Sequence, residues 1–440
     1  MCIRDSQEEM AFEITGIQNA TRQLQLRNFR DVLTEYTQSS LPIEIPKDWL
    51  AAFQQLKIYL KPLVAKKRQV LFFDELPWLD THKSGFLQAF SYFWNSWASK
   101  QNLVVIICGS AASWISQKVV KDTGGLHNRI TKRIHLYPFT LAETEVYLRQ
   151  RNIRFDRYQL LQLYMAMGGI PHYLKEIRGG LSAAQNIDDI CFSEMGLLRD
   201  EFSNLYAALF KNSEKHLQVV HALASKPYGM TRNALLKQAK LKSGAGLTKV
   251  LEELAQSGFI LTSFPFGDKR NEVVYRLTDE YSLFYIKFIQ NKPKRNTNLW
   301  KHLSQTQAYK SWSGYAFENI CLQHLPQIKE ALRIGGIYSE AATFYKKGTK
   351  KDKGAQIDLV LDRNDHVVNL FEFKFYNESF SISKTYANSM RDKMEIFRKT
   401  TKTKKQLFWT IISTFGLVAN EHSLGLIDTD FDMDILFKEA

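Results

Sequence analysis

The sequence predicts an α/β chain of several domains, and three observations predict it. Apolar strands alternate with amphipathic helices through the first 180 residues. Three helices and a hairpin follow over 213–290. A strand–turn–strand unit then carries acids and a lysine at alternate positions over 354–375. A length of 440 residues suits two to four domains. Hydrophobic residues make up 45%, enough for packed cores, which argues against general disorder.

The elements are legible in order. AFEITGI at 11–17 reads as a strand already inside a domain. The residues before it, MCIRDSQEEM, lack the apolar centre of a secretion signal and read as foreign to that domain, as in a truncated gene. Helical periodicity covers 17–36 and 47–65. QVLFFDE at 69–75 and NLVVIICGS at 102–110 are continuous apolar strands, with a helix over 83–99 between them. Such strands suit a parallel sheet buried on both faces. Residues 140–208 are helical and broken at Gly168-Gly169-Ile170-Pro171, as in a small helical lid. EKHLQVVHALAS, TRNALLKQAKL and GLTKVLEELAQSG are three helices with a turn at Ser243-Gly244. The hairpin FILTSFPFGDKRNEVVYRLTD follows, completing the winged-helix order. NKPKRNTNLW at 291–300 reads as a basic linker, and 305–440 as a last α/β unit. The expected boundaries are 1–139, 140–212, 213–290 and 291–440.

Charge points to polyanion partners. Fifty-nine Lys and Arg against forty-five Asp and Glu give a net charge of +14, which favours polyanion partners, nucleic acid first, over a merely solvated basic surface; charge does not choose between DNA and RNA, and DNA is the expected partner. Cys2, Cys108, Cys191 and Cys321 lie far apart and make neither a zinc knuckle nor a disulfide framework. That suits a reducing cytoplasm, and no apolar run reaches the length of a membrane span.

QVLFFDELPWLD holds the first candidate site. At the C-terminal end of a parallel strand, Asp74 is placed to hold Mg²⁺ and Glu75 to polarise an attacking water. Ser110 ends the next strand and could orient that water or sense phosphate. Arg129 and Arg133 follow and could stabilise transition-state charge. The plain alternative is a strand that meets solvent at two acids.

Together LFFDELPWLD, CGSAASWI, LHNRITKRIHLYPFTLAE and GGIPHYL resemble the Walker B, sensor, arginine and lid segments of archaeal-type AAA+ ATPases, among the signal-transduction-like NTPases. The resemblance runs from about residue 10 to the end. It implies a partial P-loop parallel sheet with a helical lid, ATP and Mg²⁺ as cofactors, and ATP hydrolysis. The sequence departs from it in one respect: no G-x-x-x-x-G-K-[ST] occurs, and GAGLTK at 244–249 lacks the spacing. In that family the phosphate loop lies shortly before a strand like AFEITGI, so the missing piece is expected just upstream. Without its N–H nest and lysine the chain as given is expected to bind ATP weakly or not at all.

The winged-helix segment carries Arg232, Lys237 and Lys249, with Lys269 and Arg270 at the wing, but also Glu252 and Glu253 on its third helix. It reads either as a DNA contact or as an intramolecular packing module.

The second candidate site lies in GAQIDLVLDR–NDH–VVNLFEFKF. Glu372 and Lys374 are two apart on one strand and share a face. Hairpin pairing places Asp358 opposite about 371 or 372. Glu318, on the upstream helix SWSGYAFENICLQHL, can pack beside them. Two carboxylates hold Mg²⁺, and a lysine positions or activates water for phosphodiester attack. The set resembles the PD-(D/E)xK nuclease fold. Asp358 and Glu372–Phe373–Lys374 stand at the motif positions and Glu318 at the helix acid, with the proline absent. Lys346, Lys347, Lys350, Lys351 and Lys353 suit a phosphate backbone or simply a solvated loop. A helix over 384–399 carries Lys384, Tyr386 and Lys393, and LFWTIIST completes the core.

Three functions compete on this reading. One is an ATPase-coupled, Mg²⁺-dependent DNA nuclease. Another is a non-enzymatic nucleic-acid-binding or protein-interaction switch. The third is an inactive fragment.

Overall fold

The computed structural model describes residues 10–38, 43–110, 112–120, 124–126, 128–210, 212–241, 244–267, 273–292, 299–349 and 353–439. Cys2, Ser243, Lys269, Arg270, Lys350, Lys351 and most of the basic linker lie outside them. The chain gathers into two compact units, Met1–His135 and Leu136–Ala440. The three expected segments from residue 140 onward all fall within the second. Among the described residues no helix is long and apolar enough to cross a membrane.

The first unit is a three-stranded parallel sheet with helices. Strand β1 (Met10–Thr15) leads to α1 (Arg22–Thr37) and α2 (Trp49–Val64). Then come β2 (Gln69–Asp74), α3 (Phe86–Ser96) and β3 (Leu103–Ile107), in the sheet order β1-β2-β3. The Thr21 hydroxyl caps α1 by accepting from the Leu24 N–H, and the Asp48 carboxylate caps α2 through the Ala51 N–H. Leu26, Phe29 and Leu33 recur at helical spacing on α1 and are buried. They join Phe12, Trp49, Phe53, Phe73, Phe86, Phe90 and Phe93 in an aromatic core. Trp49 meets Phe86 edge-on at 4.8 Å, and Phe53 stacks on Phe93 at 5.1 Å. Burying each such ring contributes roughly 2–3 kcal/mol.

The second unit opens with helices α4 (Leu141–Gln150), α5 (Arg157–Met167), α6 (Ala183–Cys191) and α7 (Leu197–Leu209). Thr140 and Glu143 form a capping box on α4. The Gly-Gly break has a steric cause. Gly168 takes φ +68°, and a Cβ on Gly169 would stand 1.9 Å from the Phe139 carbonyl oxygen. The Phe139 N–H donates to Gly169 O at 2.7 Å, and the Tyr164 hydroxyl to Phe139 O at 2.8 Å.

Helices α8 (Glu214–Ala224), α9 (Arg232–Gln238) and α10 (Ala245–Gln256) follow, with strands β4 (Met230–Thr231), β5 (Ile260–Pro265) and β6 (Val274–Leu277). Beyond them lie α11 (Gln307–Gln323), β7 (Ser339–Lys346), β8 (Ala355–Arg363) and β9 (Val367–Lys374). The chain closes with β10 (Phe380–Ser381), α12 (Lys384–Thr401), β11 (Gln406–Ser413), β12 (Leu417–Val418) and β13 (Thr429–Phe431). Strands β10 and β12 pair separately; the rest form one eight-stranded sheet, β13-β11-β9-β8-β7-β5-β6-β4. The β5–β6 hairpin is therefore not a free wing. Its Phe264 and Pro265 pair in parallel with Ala342 and Thr343 of β7, so one sheet runs through the segments expected to separate at 290. His324 joins the lid to this body. Its Nδ1–H donates to Ile320 O at 2.8 Å and its Nε2 accepts from the Leu141 N–H at 3.1 Å.

Candidate functional site

At the C-terminal edge of the first unit's sheet, the structure brings Asp74, Glu75 and Ser110 together. Thr15 faces Asp74 across the β1–β2 ladder, and its hydroxyl donates to Asp74 Oδ2 at 3.3 Å. Glu75 turns the chain with φ 47° and ψ 49°, a left-handed conformation that costs a non-glycine residue about 1 kcal/mol. Its carboxylate Oε2 accepts from the Ser110 N–H at 3.3 Å and hydroxyl at 3.1 Å. The turn is wedged between two glycines. A Cβ on Gly16 would meet Glu75 O at 2.6 Å, and one on Gly109 would meet Pro77 Cδ at 2.6 Å. Burial, then the charges of Asp74 and Glu75, push the nearby Cys108 thiol up.

Among the described residues no hydrogen bond or ion pair ties the Arg129 side chain to this cluster. Arg129 is exposed beyond β3, and its N–H donates to Leu126 O at 3.1 Å. The edge residues Thr15, Asp74, Glu75 and Ser110 suit a cation and an ordered water. They include no positive group for the β- and γ-phosphates, so by themselves they do not fit ATP.

The second cluster is built by strand register. Leu359 faces Phe371 and Leu361 faces Asn369, which carries Asp358 opposite Glu372. On the other side, Ala342 faces Val360 while Phe344 faces Ile357, so Asp358 and Leu359 oppose the single residue Thr343. This bulge bends β8 at the acid and re-aims its side chain. Asp358 Oδ2 accepts from the Phe373 N–H at 2.9 Å. Glu372, only 2% exposed, accepts from Lys374 at 2.8 Å and from the Tyr386 hydroxyl at 2.7 Å on Oε2, and from Lys393 on Oε1.

The two carboxylates are pushed in opposite directions. Burial, then Glu372 and Glu318, raise Asp358 well above the usual range. Burial would raise Glu372 as well, but Lys374 and Lys393 outweigh it and hold it low. Burial would lower Lys374, yet Glu372, Tyr386 and Asp358 keep it firmly protonated. Lys374 is thus a positive charge paired with Glu372.

Glu318 lies on α11 and is buried, and its Oε1 accepts from Arg276 of β6 at 2.7 Å. Arg276, Tyr386 and Lys393 belong to the surroundings of this site, yet reasoning from sequence assigned them no role. Tyr386 and Lys393 are seven apart on one helix, a spacing that marks a shared face. Arg276 left no such signal, because only the folded sheet brings residue 276 to residue 318.

Asp358 and Glu372 are hard oxygen donors of the kind Mg²⁺ takes, and an ion would have to share or displace the lysine and tyrosine donors that already occupy both oxygens of Glu372. A cation there would offset part of the burial and carboxylate repulsion that raise Asp358. Among the described residues no group of three or more His, Cys, Asp or Glu is placed to hold a metal. Waters and phosphate oxygens would have to complete the coordination, as Mg²⁺ sites commonly allow.

No protein-family description matches the chain. It is 22% identical over 333 residues to "Uncharacterized protein MJECL04" of Methanocaldococcus jannaschii, spanning 75% of this chain and 70% of that one. Among solved structures it is similar to the Walker-type ATPase PABY2304 of Pyrococcus abyssi. That likeness has a TM-score of 0.45 at 17% identity and covers 64% of this chain and 85% of that one.

Proposed function

We propose that this chain is a Mg²⁺-dependent nucleic-acid phosphodiester hydrolase, acting first on DNA, carried on an ATPase-type chain of the AAA+ kind. One observation carries the reading: β8–β9 register sets Asp358 opposite Glu372, with protonated Lys374 bonded to the same carboxylate. Asp358 and Glu372 hold the ion. When bound, Mg²⁺ supplies Lewis acidity toward the phosphate and a water of lowered pKa. Lys374 places a fixed positive charge where negative charge grows on the phosphate. Glu318, tied to Arg276, is a positioning residue that fixes α11 against the sheet. In the first unit, Asp74 and Glu75 are the metal-holding and water-polarising acids of the ATPase reading, with Ser110 orienting Glu75 and Arg129 as a source of positive charge. That edge alone does not assign ATP hydrolysis to the chain.

The test is Mg²⁺-dependent cleavage of linear and supercoiled DNA by the wild type beside Asp358→Ala and Lys374→Ala. Cleavage lost in both variants supports the hydrolase; cleavage that survives in both sinks it. A second reading, a nucleic-acid-binding module that does not cleave, is favoured by the complete pairing of Glu372 with two lysines and a tyrosine. A wild type that binds DNA but never cuts it would select that reading.

A further inference from the structure

A cleft of about 330 Å³ opens beside the acid site, between the facing ends of β7 and β8 and helix α12. Lys346, Lys353 and Lys393 line it, with Asp392 as the acid on its wall. Lys393 belongs to the cleft and to the acid site at once, because it also bonds Glu372. Lys353 pairs with Asp392 at 2.7 Å, and among the described residues no ion pair reaches Lys346 on the wall. The floor is backbone in close approach. A Cβ on Gly354 would stand 2.6 Å from the Gly348 nitrogen and 2.8 Å from Lys346 O, so the cleft has no side chain to fill it there. On the lip, Tyr345 is 71% exposed. A cationic groove with an exposed ring beside it is the arrangement that holds a nucleic-acid strand, phosphates on the lysines and a base on the aromatic face.

We propose that this cleft takes a single nucleic-acid strand, its phosphates on Lys346 and Lys353 and a base on Tyr345, and leads it past Lys393 to Asp358 and Glu372. The inference rests on the phosphodiester reading of the acid site and names its substrate as single-stranded.

The experiment is binding of labelled single-stranded and duplex oligonucleotides to the full chain in EDTA across a salt series, with cleavage in Mg²⁺ measured in parallel. The wild type is expected to prefer the single strand. Lys346→Ala with Lys353→Ala should weaken that binding about tenfold and lower the slope of log K against log salt by about 1.4, two single-strand phosphate contacts' worth. Tyr345→Ala should weaken it about tenfold with little change in slope. The control pair Lys61→Ala with Lys66→Ala removes the same charge from the first unit's surface and should bind as the wild type. The proposal is overturned if the cleft pair binds as the wild type, if the control pair loses as much, or if duplex is preferred. Cleavage that needs Asp358 but ignores the cleft lysines sinks the cleft alone. Binding that needs the lysines in a chain that never cleaves leaves the cleft standing and sinks the hydrolase reading.

Discussion

Asp358 and Glu372 are both carboxylates at facing positions, yet their surroundings drive them apart. Asp358 is raised by burial, by Glu372 and by Glu318; Glu372 is lowered because two ammonium groups outweigh its burial. The consequences for stability have opposite signs. Asp358 binds its proton more tightly folded than unfolded, so its effect costs stability as pH rises from about 3.9 up through its raised folded value. Glu372 adds stability above its ordinary value of about 4.3, and that contribution is lost as pH falls through its lowered one. Asp358→Asn should therefore flatten the decline of the urea midpoint as pH rises from about 3.9. An unchanged slope would place the charge repulsion elsewhere. Glu372→Gln should cost about 2–3 kcal/mol at pH 7, because Lys374 and Lys393 are left without their counter-charge. The figure sits below the range of about 3–5 kcal/mol for fully buried broken pairs, since both lysine side chains keep about a fifth of their surface in solvent. A loss under about 0.5 kcal/mol in urea unfolding would show that solvent already screens the pair.

At the scale of elements, what the sequence reveals and what it hides follow from range. Local patterns are readable. The apolar run 69–74 announces a buried strand and the period of two places Glu372 beside Lys374, whereas the caps Thr21 and Asp48 set helix starts a few residues inside the expected 17–36 and 47–65. The β8–β9 hairpin is also local, so Asp358 could be set opposite about residue 371 or 372 by counting from the turn. Pairings between distant strands carry no such count. Nothing in FILTSFP says that Phe264 will pair with Ala342, or that the next strand will send Arg276 to Glu318. That ion pair is nearly closed to water, at 6% exposure for Arg276 and 5% for Glu318, and among the described residues Arg276 Nε and Nη2 have no hydrogen-bond partner. Removing one member strands a buried charge. Arg276→Met alone should cost about 3–5 kcal/mol, whereas Arg276→Met with Glu318→Leu should recover most of that loss. A double variant as unstable as the single one would mean that the β6–α11 contact is held by packing and not by charge.

At the scale of the whole molecule, the expected segments and the observed units divide the chain at different places. Continuity of the sheet is the reason. Helices α8 to α10 and their hairpin look self-contained in sequence, but β5 is hydrogen-bonded to β7, and the eight strands form a single ladder inside Leu136–Ala440. Breaking that ladder in two would expose unpaired backbone along β5 and β7. The boundary at His135 and Leu136 is of another kind. Residues 131–138 are all exposed and lie in neither helix nor strand, and Lys132 and Arg133 sit within them. Proteases cut where backbone is exposed and outside regular structure. Brief trypsin treatment should therefore cut after Lys132 or Arg133 and leave a C-terminal product beginning at Arg133 or Ile134. Because its sheet is continuous, that product should unfold in one cooperative transition. Two separate transitions, or early loss of the segment between 213 and 290, would show that the β5–β7 pairing does not bind the hairpin to the acid-site sheet. In that case Arg276 could not reliably position Glu318, and the acid site would have to be supported by β8, β9 and α12 alone.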